Sequence, residues 1–412
     1  MRGGRVAVVG GSVAGCAAAL AAHRGGADEI VVLERAPGRL AERGVGLAVH
    51  DDRYEELRSA GYLDAEMPWI QLNRRRWYVS GEGDAPLGQL IGELPFPFRT
   101  YNWGPLWQEL RTRVPDEVEF RTGTTVGAVR NGPDGVALRT AGADGGVRTE
   151  LFDFAIGADG YRSLVRTEVC AGLGTAARPE YAGYLAWRGA FPVSRMTAAD
   201  RRLWDVEECA YVVFPGGHVI VYRIPDATGG HRVNWMLYTT PPPNLGLSLE
   251  SPTSLPPGTL TEALHSHLAR IAAESLPPYW GDLIGLTAPD ELFIQPLYDF
   301  TAPRYATGRL LLTGDAATVA RPHTGAGAVK ALQDATALES ALRSAPDWAE
   351  AVGTYDSERT AVGRAMVELG RRLGQALVEA TPEWGSMDPS ALDAWWQRAA
   401  VGGGFGGRAL KA

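Results

Sequence analysis

Apolar residues follow two rhythms along this chain. Near the start, residues 5–9 read as a short strand of buried type, its apolar run 6–9 cut off by Gly10 and Gly11. An Ala-rich stretch to about His23 reads as a helix ended by Gly25 and Gly26. Residues 29–33 then form a second apolar run closing on Glu34. Strand, helix, strand with short connections predicts a parallel pair in an α/β layer. The same rhythm returns at residues 308–313, a predicted strand, and 326–341, a predicted helix. Between them the second rhythm dominates. From about 178 to 285 aromatics cluster in alternating runs such as Ala210-Tyr-Val-Val-Phe214 and His218-Val-Ile-Val-Tyr222. That predicts an antiparallel sheet with one covered face. Alternation sets Tyr211 and Val213 on one face, Val212 and Phe214 on the other.

Further helices are predicted at about 51–61, 104–114 and 260–275, and strands at 76–79, 118–121, 135–139 and 152–156. Residues 239–257 form a Pro-rich loop expected to be mobile. Residues 348–397 read as two or three helices, and the glycine-rich 402–407 is expected to fray.

Composition narrows the class. Of 412 residues, 45% are hydrophobic and 21% charged, as in a globular protein. The net charge of −8, 40 basic against 48 acidic residues, argues against a nucleic-acid binder, which needs a basic face. Cys16, Cys170 and Cys209 are too few and scattered for a disulfide framework or a metal site, and fit a reducing cytoplasm. The longest apolar stretch, 6–22, is interrupted by Gly10, Gly11 and Gly15, so neither a membrane span nor a signal peptide is expected.

Three turns carry chemistry. In Gly10-Gly11-Ser12-Val13-Ala14-Gly15, Gly10 and Gly15 hold the outer positions of a dinucleotide fingerprint, while Ser12 replaces the middle glycine. A pyrophosphate would lie on the helix N-terminus there. Glu34 ends the second strand, where a carboxylate accepts both hydroxyls of an adenosine ribose, with Arg35 beside it; a free carboxylate there disfavours the 2′-phosphate of NADP. The second turn is Asp159-Gly160 with Arg162, Ser163 and Arg166. The third, Thr313-Gly314-Asp315-Ala-Ala317, offers a strand-end carboxylate to a polyol. Arg321-Pro322-His323-Thr324-Gly325-Ala326-Gly327 then opens a helix whose amides suit a group that becomes anionic, as a reduced flavin does.

In this order the three motifs resemble the single-component flavoprotein aromatic hydroxylases of the p-hydroxybenzoate hydroxylase type. The resemblance spans residues 10–334. Tyr181-Ala-Gly-Tyr184-Leu-Ala-Trp187-Arg188-Gly189 and the 321–330 stretch are most similar to the 2,6-dihydroxypyridine 3-monooxygenase subgroup. The resemblance implies an α/β chain with a Rossmann-like FAD-binding domain (1–70, 101–177, 286–345), an inserted mixed antiparallel substrate domain (71–100, 178–285) and C-terminal helices (346–412). It implies bound FAD, with Glu34 on the ribose, Asp315 on the ribityl chain, Gly325 and Gly327 beside the pyrimidine and Asp159 near the pyrophosphate. NADH or NADPH would be the reductant. Oxygen activated as a flavin C4a-hydroperoxide would hydroxylate a small aromatic or heteroaromatic substrate in a dry pocket.

Departures from the family pattern at Ser12, Thr318, Val329 and Tyr101-Asn-Trp103 leave room for a non-catalytic flavin protein. Epoxidation, Baeyer–Villiger insertion or oxidative rearrangement is a further alternative. His323 is the candidate base. Tyr184, Trp187, Arg188, Tyr211, Tyr222 and Trp235, with Pro322 and His323, are the candidate substrate wall; Arg188 would meet a substrate carboxylate or a flavin anion. No metal or membrane partner is expected, and the chain would act as a monomer or homodimer.

Overall fold

The computed structural model describes residues 3–38, 46–81, 85–173, 178–226, 229–242, 255, 257–402 and 404–407. Strand β1 (Arg5–Val9) and strand β2 (Glu29–Leu33) flank helix α1 (Val13–Arg24), as the apolar runs predict. Ala17, Ala18, Ala19, Ala21 and Ala22 are all buried in α1. Their small side chains let the helix lie close to the parallel sheet and to its neighbouring helices. Strand β5 (Phe154–Gly157) pairs in parallel with β1, and strand β11 (Leu310–Leu312) in parallel with β5. Residues Glu119–Arg121 extend the sheet beyond β2, and Ala306–Thr307 adds a short antiparallel edge. All three chemistry-bearing turns follow the C-terminal ends of the adjacent strands β1, β5 and β11, where an open α/β sheet presents its ligand crevice.

The second sheet has nine strands. Its centre is an antiparallel run: β10 (Phe293–Thr301), β6 (Glu180–Pro192), β9 (His231–Thr239), β8 (Gly217–Pro225) and β7 (Glu208–Phe214). Strand β3 (Ile70–Val79) joins β7 in parallel and pairs with β4 (Gln89–Asn102). The Pro/Phe patch at 95–98 is therefore part of a long strand. Gly46–His50 and β10, which the sequence assigned to the FAD-binding segments, also hydrogen-bond into this sheet. A three-stranded meander over Thr125–Asn131, Val136–Ala141 and Val147–Phe152 completes the β structure, and its first and last strands were not anticipated.

Each face of the nine-stranded sheet is covered by different helices. On one face Trp187, Val212, Phe214 and Trp235 pack under helix α3 (Glu262–Ser275) and under Pro278–Gly285, the latter an unanticipated helix. On the other, Cys209, Tyr211, Tyr222, Met236 and Tyr238 pack with residues of helix α5 (Trp348–Gly374) and helix α6 (Pro389–Ala399). The Pro-rich loop falls mostly outside the described residues. The expected fraying at 402–407 is not what Phe405 does. Its ring sits against Phe96, Phe98 and Trp396, because one large aromatic outweighs the entropy of its glycine neighbours. Among the described residues no helix is long and apolar enough to cross a membrane.

Candidate active site

Two cavities lie along the crevice. The smaller, about 330 Å3, is bordered by Glu34, Trp107, Arg111 and Phe120. Glu34 is buried, and its two oxygens accept from Gly11 N–H and Ala36 N–H, both at 2.8 Å. A carboxylate has about four acceptor positions, so capacity remains for ribose hydroxyls. The indole N–H of Trp107, on helix α2 (Trp103–Arg113), fixes the turn by donating to Gly11 O at 2.8 Å. Arg35 is exposed and borders neither cavity, so the structure does not bring it to the site.

The larger cavity, about 470 Å3, lies between the two sheets. Ser12, Val13 and Ala14 present the N-terminus of α1 to it. Pro322 and His323, with Gly325, Ala326 and Gly327, present the start of helix α4 (Gly327–Ser344). Neither helix has a side-chain cap or an acidic residue in its first turn. Two sets of unclaimed N–H groups thus face one space, a setting for diphosphate and for an anionic ring edge. Ser12 departs from the fingerprint without filling the crevice; its backbone is extended and its side chain small. Gly10 and Gly15 do not border the cavity. Gly10 has φ +102°, and a Cβ there would overlap Ala158 O; one on Gly15 would overlap Gly10 O. Both glycines serve close packing.

Asp315 opens onto the cavity yet is surrounded by protein. Burial raises its carboxyl pKa, opposed by the nearby Lys330 ammonium. Its turn is held from behind by residues the sequence reading missed. Asp334 accepts from Gly314 N–H at 2.9 Å, from Lys330 Nζ at 2.5 Å and from Arg359 Nε at 2.8 Å. The signal available was the four-residue spacing of Lys330 and Asp334 on α4. Arg166 ties the second turn to this one, donating to Ala316 O at 3.0 Å and Tyr161 O at 2.7 Å. Asp159 accepts from Leu164 N–H at 2.7 Å, while its buried Oδ1 has no hydrogen-bond partner among the described residues. The ribose acceptor, the open polyol acceptor and the two uncapped helix starts fit FAD.

Strand alternation sorts the candidate substrate wall. Arg188, Tyr211, Tyr222, Pro322 and His323 border the cavity, joined by Met236, Tyr238, Phe96 and Phe405, which were not anticipated. Trp187 and Trp235 do not. They are odd-numbered neighbours of Arg188 and Met236 and so point to the opposite face, where Trp235 donates to Thr287 Oγ1 at 2.8 Å. Tyr184 stands behind the wall, its hydroxyl 2.8 Å from His323 Nε2. Burial pushes the His323 pKa well below its ordinary value, reinforced by His218 and Arg321, so the imidazole is neutral. Its Nδ1 has no hydrogen-bond partner among the described residues.

The chain is similar to known proteins over most of its length. A family profile described as "FAD binding domain" matches residues 268–369, and one described as "FAD binding domain-like" matches 181–299. The chain is 29% identical to 2,6-dihydroxypyridine 3-monooxygenase of Paenarthrobacter nicotinovorans, over 90% of this chain and 91% of that one. It is 30% identical to 3-amino-4-hydroxybenzoate 2-monooxygenase of Streptomyces cremeus, over 90% of this chain and 87% of that one. The solved 2,6-dihydroxypyridine-3-hydroxylase from Arthrobacter nicotinovorans superposes with a TM-score of 0.77 at 24% identity, over 94% of each chain. Klebsiella pneumoniae HpxO, solved with FAD and uric acid, gives 0.72 at 22%, over 97% of this chain and 93% of that one. Similarity sustained over nearly the full length of both chains settles the matter of kinship: the chain belongs to the family of FAD-dependent monooxygenases.

Proposed function

We propose that this enzyme hydroxylates a small aromatic or heteroaromatic compound bearing a ring hydroxyl, with NADH or NADPH and O2 as co-substrates. The observation that carries this reading is the single cavity shared by the two helix N-termini with Asp315 and by an aromatic wall containing a neutral histidine. When bound, FAD supplies electron transfer from the nicotinamide and the activation of oxygen. Everything else falls to the chain. Ser12–Ala14 and Gly325–Gly327 position the diphosphate and the pyrimidine edge, and Asp315 orients the ribityl chain. Phe96, Met236 and Phe405 narrow the space and exclude water, which protects reactive oxygen chemistry from discharge.

His323 is placed to take a proton. In the tautomer whose Nε2–H donates to the Tyr184 hydroxyl oxygen, Nδ1 is the nitrogen that would accept a phenolic O–H of the substrate. Deprotonation enriches the ring for electrophilic attack. The Arg321 guanidinium lies 5.4 Å from the Tyr184 ring centroid. Arg321 is itself fixed by Asp299 at 2.8 Å.

The test is NAD(P)H oxidation by FAD-loaded protein with hydroxypyridines, phenols and indoles, followed by product analysis under 18O2. Ligand-stimulated oxidation with one labelled oxygen in the product is expected. Absence of both across the panel would overturn the reading. His323→Gln should lower hydroxylation by about 10²-fold or more, the range for loss of a positioned proton acceptor.

A further inference from the structure

The chain makes almost no use of lysine. Of its 40 lysines and arginines only Lys330 and Lys411 are lysine. Lys330 is sealed from solvent at 1% exposure, in the first turn of α4, behind the Gly314–Asp315 turn. Its ammonium donates to Asp334 Oδ2 at 2.5 Å and to Gly314 O at 3.5 Å. An arginine would bring five N–H donors to this closed space, which offers two acceptors among the described residues. An ammonium is a compact point charge that fits it. The space therefore selects lysine against the habit of the chain.

Two acids and two cations meet here. Asp334 has a cation of its own: its Oδ1 accepts from Arg359 Nε at 2.8 Å, and Arg359 is itself buried. Its Oδ2 accepts from Gly314 N–H at 2.9 Å as well as from the ammonium. Asp334 and Lys330 thus hold the N–H and the C=O of one residue, and Asp315 is the next. Asp315 borders the cavity and forms no salt bridge among the described residues. With Arg359 already on Asp334, the positive charge of Lys330 is left to stand behind Asp315. Burial and the Asp334 charge work against an ionised Asp315, and the ammonium works for it. An ionised carboxylate is the stronger acceptor for a hydroxyl group.

The other charged and titratable groups around the turn are engaged differently. The second turn packs against it with Asp159, Tyr161, Arg162 and Arg166, of which Arg166 reaches it through Ala316 O. The Tyr355 hydroxyl donates to Leu312 O, and the Tyr305 ring lies 5.1 Å from the ammonium. Glu358 lies 3.6 Å from Arg359, on the far side of the cluster from solvent-free Asp334. The first turn of α1 carries no acid.

We infer that Lys330 is the counter-ion of Asp315 and a positioning residue for FAD, acting through that carboxylate rather than by touching the cofactor. The inference rests on the placement of Asp315 at the ribityl chain, so the two are tested apart.

FAD-loaded protein is diluted stepwise at pH 6, 7 and 8, and release of FAD is followed by the rise in flavin fluorescence. The native chain is compared with Lys330→Gln, Asp315→Asn and the double variant. Lys330→Gln keeps an N–H donor for Gly314 O and removes the charge. It should weaken FAD about tenfold or more at pH 7, the order expected when the opposite charge beside a buried carboxyl is removed. Without the ammonium Asp315 takes up a proton nearer neutrality, so the loss should grow toward pH 6 and shrink toward pH 8. Asp315→Asn leaves no charge to support, so adding Lys330→Gln to it should change FAD release by no more than about twofold. Lys330→Met serves if the Gln variant does not fold, since Asp334 keeps Arg359. Native-like release from Lys330→Gln at all three pH values would overturn the inference. So would single losses that multiply in the double variant. A loss that does not vary with pH would assign Lys330 to holding Gly314 O alone, which also overturns it. Each of these leaves Asp315 on the cofactor when Asp315→Asn itself releases FAD. Unchanged release from Asp315→Asn would instead remove the placement of Asp315, and this inference with it.

Discussion

His323 and His218 show how burial sets chemistry at the scale of a residue. Both are buried in the same aromatic cluster, their rings 5.3 Å apart, and each is held neutral by desolvation, His218 with a pKa of about 3. In the unfolded chain each titrates near the ordinary 6.5. The folded pKa is therefore depressed, and the stabilisation is complete above about pH 6.5 and lost as pH falls toward the folded value. Each histidine lowers stability by about 1.4 kcal/mol per pH unit in that window. Urea unfolding between pH 6.5 and 5 should show this slope, and His218→Phe should make it shallower; an unchanged slope would count against burial as its cause. Asp315→Ala should lose FAD during purification, read as the flavin-to-protein absorbance ratio. Glu34→Gln should weaken FAD by about 1–3 kcal/mol, since it trades a charged acceptor for a neutral one beside two fixed N–H donors. These residues were legible because each sits at a strand end behind a glycine turn. Asp334, Lys330 and Arg359 were not, because their roles arise from α4 and α5 meeting behind the turn.

Helix α5 carries the clearest conflict between local preference and packing at the element scale. Among its four glycines, Gly363 lies in the interior and Gly374 at the last position, and an interior glycine should cost about 1 kcal/mol relative to alanine on propensity alone. A Cβ at Gly363 would overlap the Tyr305 hydroxyl and approach Thr318 Oγ1 at 2.5 Å; one at Gly374 would overlap the Tyr184 hydroxyl and meet Arg321 at 2.6 Å. Gly374→Ala should therefore displace Tyr184 from His323 and lower turnover, while Gly363→Ala should destabilise the fold by about 1–3 kcal/mol, as overpacking does. Thermal melts and steady-state rates of the two variants check this, and a stabilised Gly374→Ala with full activity would contradict it. Strands show the opposite balance. The alternation around Tyr211 was readable in advance, and the same rule sends Trp187 and Trp235 away from the cavity. A motif drew Trp187 into the substrate wall and the aromatic clustering drew Trp235, where their register does not allow them.

For the whole molecule, the larger cavity is bounded by the turns that follow the parallel strands, by the nine-stranded sheet and by Phe405 from near the chain's far end, so FAD should couple the stabilities of these parts. At about 100 times its dissociation constant it should add about 2.7 kcal/mol, seen as a higher melting temperature for loaded than for stripped protein. An identical melt for the two forms would mean that the cofactor does not span the junction. The parallel βαβ start, the three glycine and aspartate turns and the aromatic antiparallel sheet were legible in the sequence because they depend on spacing within short segments, and the cofactor class followed from the family those motifs resemble. The tertiary structure alone decided which aromatics face the cavity, that Tyr184 meets His323 from behind the wall, that Phe405 borders the space, and that no acid pairs with Arg188 among the described residues. Each of those depends on contacts between residues tens to hundreds of positions apart, and no local pattern of hydrophobic and polar positions encodes which distant side chains will share one buried space.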